Sequence, residues 1–412
     1  TITWWEGSQY PLFACTLGVG APPGSLLLTL LGWLVSRVPF AQPAAFRVNL
    51  LAGLIAAVTV AMVTRLGIGL ATGESRRPSA AALVAGAVAG LTLAFSLSIW
   101  THAVQFTPYI LTAVFTTFIL AAALAWWRRA GHGAALPWLL LLFLLFGLDF
   151  SVHRTNALLL PAVLVWVTLR RPRLWLSGRA WLAAVAGLGL GLAFHLLVIP
   201  LSLRDPMVDL GEPRSLATFW AYVSLKMHGG GFLFDVLPRK ADFLRVQLAD
   251  YVRFLRQNLA PSGAGRLFGI LPTLLVLGGW LVALRREPRR TLGLLVFFLC
   301  ASLGAVVYFN LPANYFRGMD RHYLPSLVLL APLLGVGAAA LLQTAARVPG
   351  ASRRALVPLV GLLLCLVPLD AWLANRHACD LSRVRFADAY SRDVLESLPP
   401  RAILLTNGDN DT

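Results

Sequence analysis

Acidic side chains are scarce in this chain, and the first stands beside two indoles: Glu6, in T-I-T-W-W-E-G-S-Q-Y, follows Trp4 and Trp5 directly. Paired tryptophans anchor a chain at a membrane–water interface. A carboxylate fixed at that depth could serve as a general base toward a hydroxyl, with Trp5 and Gln9 next to it as substrate contacts; the plainer alternative is a solvated loop acid. A second group is D-F-S-V-H-R-T-N (149–156). Asp149 and His153 are four residues apart and would stack on one helical face if the helix continues. That spacing gives either a helix-end ion pair or, with Arg154 as a forked donor, a cationic pocket for a phosphate. A third, N-Y-F-R-G-M-D-R-H-Y (314–323), sets Arg317, Asp320, Arg321 and His322 between aromatic rings. That mixture suits a phosphate or an anionic headgroup. In W-T-H-A-V-Q-F-T-P-Y (100–109), His102 and Gln105 are neutral polar groups suited to sugar hydroxyls, or simply polar loop residues.

Phosphate-loop and H-E-x-x-H zinc signatures are missing, and Cys15, Cys300, Cys365 and Cys379 lack ligand spacing, so no metal site is assigned. The closing D-N-D-T (409–412) offers oxygens that a divalent cation could take, or is a polar turn.

These groups need elements to hold them, and composition says in which solvent. Of 412 residues, 58% are hydrophobic and 13% charged, about half the charge of a soluble domain, ~25%. Apolar runs such as L-P-W-L-L-L-L-F-L-L-F-G-L (136–148) recur, and a run of about 20 residues crosses a bilayer as a helix. The expected fold is therefore an all-α polytopic membrane protein, embedded in a lipid bilayer. Ten spans are expected, at about 46–70, 80–99, 109–127, 134–149, 155–169, 180–203, 266–284, 290–309, 323–343 and 355–374. The net charge of +17 comes almost wholly from arginine. A basic chain can indicate nucleic acid, but here the arginines alternate between loops. One set of short loops holds fifteen, from Arg76 to Arg354; the other holds Arg154, Arg317 and Arg321. Positive charge resists translocation, so nucleic acid is excluded as partner and Glu6 falls on the exterior side with the other polar loops. Residues 24–40 are apolar but short, contain Gly24, Gly32 and Pro39, and would break the alternation by crossing. They read as an interfacial or re-entrant helix on the outer surface.

Residues 1–374 thus form the membrane domain, with a first exterior loop (1–45) and a large one (204–265). Residues 375–412 read as the start of an exterior soluble domain, with a strand expected over Ala402 to Leu405. With no initiator methionine, a fragment of a longer protein is expected, with a span before Thr1.

Several segments together resemble a known family: T-W-W-E-G-S-Q-Y, T-L-G-V-G-A-P-P-G-S-L-L-L-T-L-L-G-W-L, F-R-V-N-L-L-A-G-L-I-A-A, S-I-W-T-H-A-V-Q-F-T-P-Y, S-V-H-R-T-N-A-L-L-L-P-A, D-R-H-Y-L-P-S and T-N-G-D-N-D-T. Their order is similar, along nearly the whole chain, to that of a bacterial domain-of-unknown-function membrane family related to the vertebrate transmembrane protein O-mannosyltransferases that modify IPT/TIG domains. The resemblance implies the GT-C class. Such enzymes take a sugar from a polyprenyl-phosphate donor and pass it, on the exterior face, to a protein or glycan hydroxyl. It also implies a bacterial cytoplasmic membrane with the active face periplasmic or extracellular, and Glu6 as the family's catalytic carboxylate. The chain departs from the pattern T-W-W-D-S-G-E-F…H-P-P-G: the aspartate is Glu6, the glutamate is Gln9, the histidine is Ala21, and a second-loop glutamate falls on Thr107. With two family acids replaced, a catalytically inactive scaffold that binds lipid-linked sugar stands as one alternative. A transporter or flippase of lipid-linked glycans is the other, and would need charges near the midplane; His195 is the nearest to that.

Overall fold

The computed structural model describes residues 6–40, 43–73, 77–131, 135–226, 236–260, 269–314 and 319–405. Trp4, Trp5, Arg317 and the closing D-N-D-T lie outside them. Two short helices come first, α1 (Glu6–Thr16) and α2 (Leu26–Ser36). A long α3 (Ala44–Thr72) precedes α4 (Ala80–Ala94), α5 (Leu97–Ala103), α6 (Pro108–Arg129) and α7 (Ala135–Asp149). A 3-10 turn (Thr155–Leu159) leads into α8 (Leu160–Arg170), followed by α9 (Gly178–His195) and α10 (Val198–Ser202). The large loop carries α11 (Leu216–Val223) and α12 (Ala249–Leu259). Then come α13 (Leu271–Arg286), α14 (Pro288–Ala301), α15 (Leu303–Tyr308), α16 (Asp320–Arg347), α17 (Ala351–Asn375) and α18 (Phe386–Ser397). Among the described residues an isolated bridge between Val19 and Asp209 is the only β-pairing. The strand expected over Ala402 to Leu405 is not formed; those residues are irregular and exposed.

Each of the ten expected spans is mostly helical over its described residues, but they are not equally long. Six helices are long and apolar enough to cross a bilayer, seven if the bent pair α4–α5 counts as one span. By length and composition the expected ten is therefore high. The helices α7 and α13 have 15 and 16 residues, about 22–24 Å at 1.5 Å per residue, against a hydrocarbon core of ~30 Å. The short α7 is braced by close packing on α9. There, a Cβ on Gly191 would meet the Gly147 Cα at 2.6 Å, so only glycine permits the approach. The chain over 24–40 is likewise helical for 11 residues only, too short to cross, and packs on α1 and α3.

The span expected over 80–99 is broken. Between α4 and α5 the axis turns by 67°, which frees backbone groups that lipid cannot satisfy. Two buried asparagines satisfy them. Asn375 Nδ2, at the end of α17, donates to Phe95 O at 2.8 Å. The Ser98 N–H donates to Asn258 Oδ1, on α12, at 2.9 Å. The turn from α5 to α6 is fixed in the same way: Phe106 N–H donates to Asn49 Oδ1 at 2.9 Å. The Phe106 ring lies so close to Gly32 of α2 that a Cβ there would sit 2.6 Å from it. This delivers α6 with its Pro108-Tyr109 start on the side of Glu6 and its Arg128-Arg129 end about 33 Å away, at 1.5 Å per residue over 22 residues.

Candidate active site

Glu6 opens α1, where a carboxylate also meets the positive end of the helix dipole. Two donors converge on one of its oxygens. Tyr109, second residue of α6, donates its hydroxyl to Glu6 Oε1 at 2.9 Å. Arg321, second residue of α16, donates to the same Oε1 at 2.7 Å. The Arg321 guanidinium also lies over the Tyr109 ring, 5.1 Å from its centroid. Both charged side chains stay in reach of solvent, Arg321 at 23% and Glu6 at 24% exposed. One turn along α1, burial and then the Glu6 charge push the Tyr10 hydroxyl up, so it stays protonated.

Three imidazoles ring Tyr109 edge-on: His153 at 5.2 Å, His102 at 5.4 Å and His322 at 5.7 Å between centroids. Each comes from a different element. His322 is set by α16 and stacks on Phe309 at 4.1 Å. His153 comes from the turn after α7; its Nδ1 lies 2.7 Å from Thr155 Oγ1. Burial, then the Arg321 and Arg154 charges, push the His153 imidazole down to about 3, so it is neutral near pH 7 and able to accept a hydrogen bond. His102 ends α5 with its Nε2 3.9 Å from Asp320 Oδ2, and neither of its ring nitrogens has a hydrogen-bond partner. The aryl-imidazole cluster and the ion pair meet at Tyr109, which belongs to the same buried apolar cluster as Phe309, Tyr323 and Met319.

Six sequence-predicted residues therefore come together: Glu6, His102, His153, Asp320, Arg321 and His322. Gln9 lies three residues along α1 from Glu6, and Gln105 in the α5–α6 turn, both partly buried. Arg154 turns away. Its guanidinium donates to Val223 O at the C-terminal end of α11, and burial lowers its pKa. It braces the long α10–α12 connection rather than the Glu6 network. The expected stacking of Asp149 on His153 does not occur. The helix ends at Asp149, whose Oδ1 is buried without a partner, while His153 turns to Thr155. His195, expected nearest the midplane, sits at the last residue of α9, 5.7 Å from the ring of Phe219 on α11. Sequence reading missed Tyr109 and Thr155 as site residues. Tyr109 closes the quoted W-T-H-A-V-Q-F-T-P-Y, and Pro108 at the first position of α6 was the signal that a helix begins there and presents its next side chain. Thr107 stands at the N-cap position of α6 with its hydroxyl buried and unpartnered. Among the described residues no group of three His, Cys, Asp or Glu side chains is arranged to hold a metal ion.

Residues 8–176 match the family described as protein O-mannosyl-transferase TMEM260 N-terminal domain. The chain is 24% identical over 409 residues to protein O-mannosyl-transferase TMEM260 of Mus musculus, covering 95% of this chain and 54% of that protein. It thus spans about half the length of the curated relative it matches. Among solved structures it is similar to ArnT from Cupriavidus metallidurans bound to undecaprenyl phosphate, with a TM-score of 0.57 and 14% identity, covering 99% of this chain and 78% of that one. The resemblance read from the sequence holds: this is an integral membrane protein of the GT-C fold, similar over residues 8–176 to the N-terminal domain of the TMEM260 O-mannosyltransferases.

Proposed function

We propose that this chain is a membrane glycosyltransferase. It takes a sugar, mannose being the first to test, from a polyprenyl-phosphate donor and passes it to a hydroxyl of a protein or glycan on the face that carries Glu6. In a bacterial cytoplasmic membrane that face is periplasmic or extracellular. The observation that carries the reading is the convergence of Glu6, Tyr109 and Arg321 from three separate helices, with solvent access to the carboxylate.

Both described bonds to Glu6 end on Oε1, which leaves Oε2 to take a proton. The acceptor oxygen attacks the sugar C1 while its proton passes to Glu6. The C1–O bond to the phosphate breaks, and the electron pair leaves on the phosphate oxygen. Charge grows on that phosphate, and a nearby guanidinium stabilises it where it develops. Arg321 is our residue for that role, since its two-pronged head can serve the carboxylate and the phosphate together. His153, His322, His102 and Gln105 supply neutral groups for sugar hydroxyls. Gln9, Asp320 and, outside the described residues, Trp5 and Arg317 complete the proposed contacts. The similarity to the undecaprenyl-phosphate-bound ArnT structure supports a lipid-phosphate donor, and that to TMEM260 supports mannose.

A panel of polyprenyl-phosphate sugars, incubated with the protein in membranes, identifies the donor by its consumption. Glu6→Gln should abolish transfer while the protein still inserts and folds; full activity in that variant sinks the assignment. Gln9 and the buried, unpartnered hydroxyl of Thr107 favour a second reading, a scaffold that binds the donor without turning it over. Under that reading the panel shows tight binding of one donor and no consumption.

A further inference from the structure

A cavity of about 810 Å³ opens at the far end of α6 from Tyr109. Its walls are α3, α6 and α7, with Arg290 of α14 at the rim. The walls are mostly apolar, including Leu66, Phe118 and Leu141, yet four arginines line it: Arg65, Arg128, Arg129 and Arg290. Two of these are already engaged. Arg290 pairs with Glu287 at 2.7 Å, and Arg129 lies over the Trp138 ring at 4.7 Å. Arg65 and Arg128 are in no ion pair among the described residues. Arg65 sits seven residues before the end of α3, about 10 Å inside at 1.5 Å per residue. A cation at that depth is costly unless it serves a ligand or pathway. In the same cavity, Thr72 Oγ1 is buried and lacks a hydrogen-bond partner. The lining stretch of α6, from Phe118 to Arg129, runs about 16 Å, enough for a headgroup and the upper part of its chains.

We propose that this cavity is a binding site for a membrane lipid with an anionic phosphate headgroup, remote from Glu6. Arg65 and Arg128 take the phosphate oxygens, Thr72 donates its hydroxyl, and the acyl chains lie along Leu66, Phe118 and Leu141. Basic pockets between spanning helices hold anionic headgroups in this way. The site requires nothing of the Glu6 chemistry.

The test uses the full chain, purified in detergent, incubated with equal amounts of phosphatidylglycerol and phosphatidylcholine and read by native mass spectrometry. Wild type should retain the anionic lipid about tenfold over the zwitterionic one. The double variant Arg65→Gln/Arg128→Gln should lose that preference. Gly69→Phe leaves every arginine in place and fills the cavity, since a Cβ at Gly69 meets nothing within 4 Å; it should lower retention of phosphatidylglycerol at unchanged thermal stability. Equal retention of the two lipids by wild type overturns the proposal. So does unchanged retention of phosphatidylglycerol by Gly69→Phe, or displacement of the lipid by millimolar inorganic phosphate, which would mean that the apolar walls hold nothing.

Discussion

Tyr109→Phe isolates one bond in the candidate site. The substitution deletes the hydroxyl that donates to Glu6 Oε1 at 2.9 Å and keeps the ring, with its three imidazole neighbours and the Arg321 guanidinium above it. A hydrogen bond to a charged group contributes about 1.5–3 kcal/mol. The Glu6 side chain is 24% exposed, so water replaces part of the lost bond and ~1–2 kcal/mol remains. What remains is orientation. The carboxylate keeps its Arg321 bond and swings about it, so the base meets the acceptor proton less often. At 1.4 kcal/mol per factor of ten, kcat should fall about 5- to 30-fold. KM for the donor should hold, because the hydroxyl touches neither lipid nor phosphate in the proposed arrangement. The assay is sugar transfer from the donor found by the panel, in membranes, with thermal unfolding measured in parallel. An unchanged kcat refutes the role of Tyr109. A kcat loss matched by a collapse in thermal stability refutes it too, since the ring would then be doing structural work that the hydroxyl completes.

Other outcomes follow from the same geometry. His153 is neutral in the fold down to about pH 3 but takes a proton near 6.5 when unfolded; acid therefore favours unfolding, and stability is lost as pH falls from 6.5 toward 3. The slope is at most about 1.4 kcal/mol per pH unit, and His153→Gln should flatten thermal stability measured across that window. Asn258→Ala strands the Ser98 N–H at the α4–α5 break, a cost of about 1–3 kcal/mol, read as a lower unfolding temperature with Asn258→Asp milder than Ala. Arg154→Ala releases the C-terminal end of α11, and limited proteolysis should cut residues 204–226 faster while Glu6-dependent transfer persists.

Much of this was legible in the sequence, and the limits have physical causes. Spans are set by local hydropathy and by arginines at their ends, both written along the chain, so each expected helix is found. What cannot be read locally is how far a helix must reach once neighbours shield it. Gly147 and Gly191 let α7 pack closely on α9, so a helix of 15 residues can stand among the expected spans without being long enough alone. The break at Phe95-Ser96 was hidden for a similar reason: neither residue is a strong helix breaker, and the turn is supported by asparagines some 160 and 280 positions later. Within the site, charged candidates were legible because charge near a membrane is conspicuous. Tyr109 is a tyrosine among apolar neighbours and carries no such mark. The pairing of Glu6 with Arg321, 315 positions apart, exists only in three dimensions. The i, i+4 spacing of Asp149 and His153 misled because it presumes that the helix carries on, and the helix stops at the first of them.

The asparagine supports at the α4–α5 break bear on the order in which the protein is made. Asn258 and Asn375 emerge from the ribosome long after the segment whose bend they hold. Until α17 has entered the membrane, the carbonyl of Phe95 lacks its Asn375 partner and the bend that directs α5 and His102 is not fully held. The surroundings of Glu6 are thus completed by helices made well after α5. A nascent chain arrested before residue 375 should insert its early helices yet leave the α4–α5 bend without its Asn375 support.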